Sequence, residues 1–173
     1  MKVDHLQVTV KDVNKVEAFY DGLMEALGFD LNKKINVYLE ELDMQVIEYL
    51  DSSYDFGICS ALSQFEDQTV HRRKPGAVHH IAFRASSRNE VDRMYQIARG
   101  LGAEILDKPQ IFPQHGPNYY ALFFNDPDGI KYEIVNNDDH CWRWLQRFKQ
   151  PAPAGCFFYS LNISTLANAF RKL

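Results

Sequence analysis

The chain repeats itself, and the repeat limits the folds open to it. Residues 5–10, HLQVTV, alternate apolar and polar side chains as a half-buried strand does. Residues 12–29, DVNKVEAFYDGLMEALGF, then place Val16, Phe19, Tyr20, Leu23 and Leu27 on one face of a helix. Residues 80–85, HIAFRA, are a second alternating run, followed by a second helical pattern with Val91, Met94, Tyr95, Ala98 and Leu101 on one face. The same spacing of 75 residues separates His5 from His80, Val16 from Val91 and Tyr20 from Tyr95. A sequence that matches itself in element type, order and face folds as two like modules, because each copy has the same apolar stripe to bury.

Each helical pattern ends near a glycine, Gly28 or Gly102, and the second opens on Ser87-x-x-Glu90, a capping box. Strand-like runs NVYLEEL, MQVIEYL and FGICSAL follow the first helix, and AEIL, NYYALFF and IKYEIV follow the second. The turn signals SSYD and NDPDG precede the last strand of each half. The expected fold class is α+β, with two tandem βαβββ modules at residues 1–66 and 78–136, a polar connector at 67–77 and a C-terminal helical extension at 137–173. That extension carries Trp142, Trp144, Phe157 and Phe158, too aromatic to stay solvated, so it is expected to cover strand edges, close a site or meet a second subunit.

With 173 residues, 46% of them hydrophobic, the chain can bury a substantial core without disulfides. A formal net charge of −4 with dispersed Lys and Arg leaves no basic face for nucleic acid. The N-terminus enters a strand directly, without a signal-peptide or membrane-spanning run, so the expectation is a cytoplasmic protein that binds neither nucleic acid nor membrane. Cys59, Cys141 and Cys156 share no metal-site spacing, and Cys59 reads as a small buried hydrophobe.

Strand alternation gives every side chain a direction. If Leu6, Val8 and Val10 pack under the first helix, His5, Gln7 and Thr9 face away from it. By the same rule Ile81, Phe83 and Ala85 lie under the second helix and His80, Ala82 and Arg84 face away. In the last run Ile130, Tyr132 and Ile134 alternate with Lys131, Glu133 and Val135. His5, His80 and Glu133 thus occupy equivalent open faces of the two modules.

The segments DHLQVTVKDVNKVEAFYDGL, VHHIAFRA and FFNDPDGIKYEIV, taken with the doubled element order, resemble the vicinal-oxygen-chelate superfamily. That superfamily includes glyoxalase I, extradiol dioxygenases, fosfomycin-modifying thiol transferases and bleomycin-binding proteins, and the resemblance runs from about residue 3 to 136. It implies a half-barrel from each module, the two forming a cup-shaped mixed sheet. It also implies a divalent metal on the inner face, held by residues of the first and last strands of each module. Those positions are His5, His80 and Glu133 here. Where glyoxalase I would place a fourth, carboxylate ligand, a spacing of 75 points to Ile58.

Two imidazoles and one carboxylate match the facial triad of non-haem iron enzymes, and the same donors suit iron, manganese, zinc or nickel. On such an ion two adjacent oxygens of a small substrate chelate, and the charge that develops on them is stabilised. Residues His115, Leu122-Phe123, Asp126-Pro127, Gly129 and Glu133 partly match the extradiol dioxygenase signature, departing where Phe123 stands for a tyrosine. The resemblance makes His115 the candidate for proton transfer. Gln7 and Arg84 are expected to line the cup, and of the alternating pair Tyr119 and Tyr120 the expectation falls on Tyr120. The function implied is a metal-dependent enzyme of dioxygenase type on a small substrate, with the modules paired within one chain or exchanged in a homodimer. A glyoxalase I-like lyase and a non-catalytic antibiotic-binding protein are the alternatives.

Overall fold

The computed structural model describes residues 3–137, and within them the repeat becomes two four-stranded sheets with one long helix each. In the first module β1 (His5–Val10) leads to α1 (Val13–Leu27), and β2 (Ile35–Leu39), β3 (Met44–Tyr49) and β4 (Asp55–Ser60) complete a sheet of order β1-β4-β3-β2. The second module runs β5 (Ile81–Arg84), α2 (Arg88–Gly100), β6 (Glu104–Ile111), β7 (Tyr120–Asn125) and β8 (Lys131–Asn136), in the order β5-β8-β7-β6. In each sheet the first strand is parallel to the last and the other pairs are antiparallel. This is the α+β tandem expected from the repeat. The helices expected in the extension lie outside the described residues.

Local sequence sets the element ends. Asp12 caps α1 by accepting from the Asn14 N–H at 3.0 Å, and Gly28, at φ 102°, ends it while the Phe29 N–H returns to the Met24 carbonyl. Ser87 caps α2 by accepting from the Glu90 N–H at 3.2 Å. The other half of the capping box is displaced, since Glu90 accepts from the Ser86 N–H at 2.6 Å rather than from Ser87. Strand β6 runs well beyond the expected AEIL, through Pro109. As an edge strand it tolerates the missing N–H, and its register with β7 shifts twice along that stretch.

One core serves both modules. Val16, Phe19, Tyr20 and Leu23 of α1 and Val91, Met94 and Ala98 of α2 meet the strand residues that alternation assigned to the helix side, Leu6, Val8 and Val10 in β1 and Ile81 and Phe83 in β5. A line of rings, Tyr20, Phe56, Phe83, Tyr132 and Phe124, crosses from one module to the other with centroids 5.7 to 6.3 Å apart. Gly22 of α1 faces Leu101 just past α2, and a Cβ there would stand 2.5 Å from Leu101 Cδ2, so that leucine would have to turn aside. Cys59 is buried, as its apolar setting predicts. No helix among the described residues is long and apolar enough to cross a membrane.

Inside this core the Tyr20 hydroxyl donates to Asp126 Oδ2 at 2.6 Å and lies 2.8 Å from the Tyr132 hydroxyl. Asp126 Oδ1 accepts from the N–H groups of Asp128 and Ile130. The NDPDG segment therefore shapes its turn and also binds α1 of the other module. Burial holds the Asp126 carboxyl above its usual range, with the Tyr20 and backbone hydrogen bonds opposing. Because the folded state binds this proton more tightly, stability falls as pH rises from the usual carboxylate range through the raised value. Tyr20→Phe should lower unfolding free energy by about 1–3 kcal/mol in urea titrations, since it strands a buried carboxylate. Asp126→Asn should remove the acid-range fall in stability, and a pH profile unchanged in that variant would contradict the assignment.

Candidate metal centre

Glu133 stands in the middle of the second sheet, 1% exposed, paired with Ala82 of β5 and Phe123 of β7. A buried carboxylate is costly unless proton donors meet it. Two groups do. The Tyr119 hydroxyl donates to Glu133 Oε1, and His80 Nε2 lies 3.1 Å from Glu133 Oε2. The second ring nitrogen of His80, Nδ1, is 2.8 Å from Nδ1 of His79, which holds the ring with Nε2 toward the carboxylate. His115 packs its ring against Tyr119, with centroids 5.1 Å apart. Burial pulls His115 below the usual histidine range; the Glu133 charge opposes this and His80 and Lys131 add to it.

The walls around this group form a small apolar cluster separate from the main core: Ala121, Phe123 and Val135, with Leu106, Phe112 and Tyr119 against them. Lys131 crosses that wall with Nζ 4.2 Å from the centre of the Phe123 ring. Burial, and then the charge of Arg72, pull its ammonium below the usual lysine range. A cavity of about 300 Å³ at the seam between the modules is lined by Gln7 and Thr9 of β1, Ile81 of β5, Lys131 of β8 and Arg72 of the connector.

The first module offers a more polar inner face. His5 is exposed, with Nδ1 3.0 Å from Asp4 Oδ1. That hydrogen bond and then the Asp4 charge raise His5 above its usual range, and the charges of Glu48 and Asp55 add to the effect. Gln7 lies over Gly57, and Thr9 Oγ1 is 3.4 Å from Cys59 Sγ on the same face.

The chain thus brings His80, Glu133 and His115 together. His5 remains on the other module's face, and among the described residues no group of three or more His, Cys, Asp or Glu side chains could hold a metal ion. Arg84 donates through Nη1 to the Asn137 carbonyl at 2.8 Å. Tyr120 departs from expectation: β7 pairs it with Asn136 on the core side, beside Leu122 and Phe124, and its hydroxyl donates to Asp92 of α2 at 2.7 Å. Tyr119 takes the place expected of it. Counting back from Phe123, which the register sets opposite Glu133, would have chosen Tyr119, but that register is not visible in the sequence. His79, which holds the His80 ring, is the other residue that strand alternation does not single out.

The fourth position is also corrected. Leu6 pairs with Phe56 and Gln7 with Gly57, as Ile81 pairs with Tyr132 and Ala82 with Glu133. The last strands are therefore related by 76 residues, not 75. The counterpart of Glu133 is Gly57, and Ile58 faces the core.

Residues 2–134 match the family model of the Glyoxalase/Bleomycin resistance protein/Dioxygenase superfamily. The chain belongs to this superfamily. The uncharacterized protein YqjT of Bacillus subtilis (strain 168) is 27% identical over 131 residues, covering 76% of this chain and 95% of that protein. A candidate glyoxalase of Bacillus halodurans has the same fold with 27% identity and a TM-score of 0.60, over 78% of this chain and 95% of the other. The fosfomycin resistance protein FosX of Listeria monocytogenes is similar in fold, with 21% identity and a TM-score of 0.56, over 80% of this chain and 95% of its own.

The electrostatics make a direct expectation. In histidine-selective NMR titrations His115 should titrate below the usual value of about 6.5, and Glu133→Gln should move it lower still, because the opposing negative charge is gone. An upward shift in that variant would show that His115 does not sense this carboxylate.

Proposed function

We propose that this protein is a divalent-metal-dependent enzyme acting on a small substrate with adjacent oxygens, the metal held by His5, His80 and Glu133. The observation that carries the reading is the buried Glu133 with the His80 imidazole 3.1 Å away and the other His80 nitrogen engaged. An imidazole nitrogen and a carboxylate oxygen that already converge, with an outer partner fixing the imidazole, are the donor types such metals take. The third donor, His5, lies on the first module, so the reading requires that face to meet the second module of another copy. Two copies then make two sites, so the reading requires a homodimer.

When bound, the ion would chelate the two substrate oxygens and stabilise the charge that develops on them. The chain supplies the rest. Tyr119 holds Glu133 in place through its hydroxyl, and Phe112, Phe123 and Val135 keep water from that side of the cup. His115, held in its neutral form by burial, accepts a proton from a substrate hydroxyl or carbon. The partial dioxygenase signature around His115 and Glu133 supports ring cleavage, and membership of the superfamily supports a lyase equally. A binding protein without catalysis is the second reading, favoured by the aromatic wall of Phe112, Phe123 and Tyr119 with Lys131 across it.

Metal analysis by plasma mass spectrometry of untagged protein purified without chelator tests the centre. About one metal ion per chain is expected, lost in a folded Glu133→Ala variant; no metal in either protein after reconstitution would overturn the enzyme reading. Co-expressing His5→Ala with Glu133→Ala chains tests the sharing. Mixed dimers should regain one intact site in two, whereas sites completed within a chain would stay empty. Catechols, glyoxal hemithioacetals and thiol transfer to fosfomycin, screened in that order, would then separate the reactions.

A further inference from the structure

The connector between the modules carries charge to their seam. It turns twice on itself, the Lys74 N–H donating to the His71 carbonyl at 3.0 Å and the Ala77 N–H to the Lys74 carbonyl at 3.1 Å. Gly76, at φ 86°, lets the chain bend back there. The segment forms one side of the seam cavity of about 300 Å³, opposite Leu6 to Thr9 of β1 and Ile81, Ile130 and Lys131 of the second module. Arg72 and Lys131 both line this cavity, and no described Asp or Glu does. Both are half-buried, and neither forms an ion pair with a described residue. Arg72 Nε is buried and has no hydrogen-bond partner among the described residues. After burial, the charge of Arg72 is what most disfavours the Lys131 ammonium; the charges of Asp107 and Glu133 oppose it without reaching ion-pair distance. A guanidinium donor out of water with nothing to donate to is costly, and a like charge beside it adds to the cost. Next to the two cations the lining is apolar at Val8, Val70, Ile81 and Ile130, and polar at Gln7, Thr9 and His71.

We propose that this seam cavity binds a small organic acid, its carboxylate held by Arg72 and Lys131 and its short hydrocarbon body lying against Val8, Val70, Ile81 and Ile130. A carboxylate can accept from Arg72 Nε and from a neighbouring guanidinium N–H side by side, which is the pairing the planar fork offers. Its charge also relieves the repulsion between Arg72 and Lys131. Strand β1 is an edge of its sheet, so alternate N–H groups point out of the sheet toward the seam, where an anion can meet them. The apolar lining favours an acid with a carbon body over a bare inorganic anion. None of His5, His80, Glu133 and His115 lines the cavity, so the site stands apart from the metal reading.

Thermal melts and calorimetry on the full chain treated with chelator test this, with benzoate, benzamide and inorganic phosphate as probes. Benzoate should bind saturably and raise the melting temperature. Benzamide, of the same shape without the charge, should do neither, and phosphate, which has no carbon body, should bind more weakly than benzoate. Arg72→Met, which keeps an aliphatic stem and removes the charge, should weaken benzoate binding by about tenfold or more. The ligand-free variant should melt no lower than the unsubstituted chain, because it loses an unpaired charge. Lys131→Met should weaken benzoate binding in the same way. Failure of benzoate to bind, benzamide or phosphate binding as tightly as benzoate, or benzoate affinity unchanged in Arg72→Met would each overturn the proposal. Should Arg72→Met not fold by circular dichroism, Lys131→Met decides by the same loss of affinity.

Discussion

Three buried oxygens hold the two modules in one relationship: the Tyr20 hydroxyl from α1, the Asp126 carboxylate from the turn before β8, and the Tyr132 hydroxyl from β8. An apolar interface between repeated modules tolerates sliding, since one oily stripe packs against another in several registers. A buried carboxylate tolerates very little, because any displacement leaves a desolvated charge without its donors. Asp126 already spends its other oxygen on the backbone of its own turn, so Tyr20 has one place to reach. Lys11, next to β1, adds a second tie across the modules through its N–H to Asp128 Oδ2 at 2.6 Å. The turn that leads into β8 and Glu133 is thus fixed by the helix of the other module, and the site inherits that position.

The repeat makes the architecture legible in the sequence. Three matched pairs at one spacing gave the number of modules, and period-two alternation gave the side that each strand residue faces. That worked because Leu6, Val8 and Val10, like Ile81 and Phe83, have only one core to enter. What alternation could not supply was register between strands. The last strands are offset by 76 rather than 75, which moved the fourth position from Ile58 to Gly57. The same limit hid Tyr119 behind Tyr120, because two adjacent tyrosines carry equal weight in a pattern and only the pairing of Phe123 with Glu133 separates them. Asp126 looked like a turn residue because its distant partner, Tyr20, was already accounted for as part of a helix face.

The candidate centre was legible in its chemistry and not in its assembly. A glutamate inside an apolar strand, flanked at the repeat position by histidines, marks an inner face with work to do. Whether those groups meet depends on how one inner face stands to another, which belongs to the arrangement of modules and not to any one strand. The chain places His80, Glu133, Tyr119 and His115 in one group and His5 with Glu48 and Gln7 in another.

The two inner faces are unlike in a way that duplication alone would not produce. The second module's face has an apolar wall, with Phe112, Phe123 and Val135 around one buried carboxylate. The first module's face keeps His5, Gln7 and Glu48 accessible and has a glycine where its repeat partner has the glutamate. Each face is incomplete in a different way: the second has a sheltered carboxylate and imidazole, and the first has polar groups without an apolar wall. Set against each other they are complementary, because the wet face brings polar atoms to a wall that already excludes water. The two copies differ on these faces, one richer in packing and the other in polar groups, while the helices beneath, which answer only to the common core, keep their resemblance. Val16 with Val91 and Tyr20 with Tyr95 preserve that resemblance in the helices. The inner faces, where Glu48 answers to Phe123 and Gly57 to Glu133, do not.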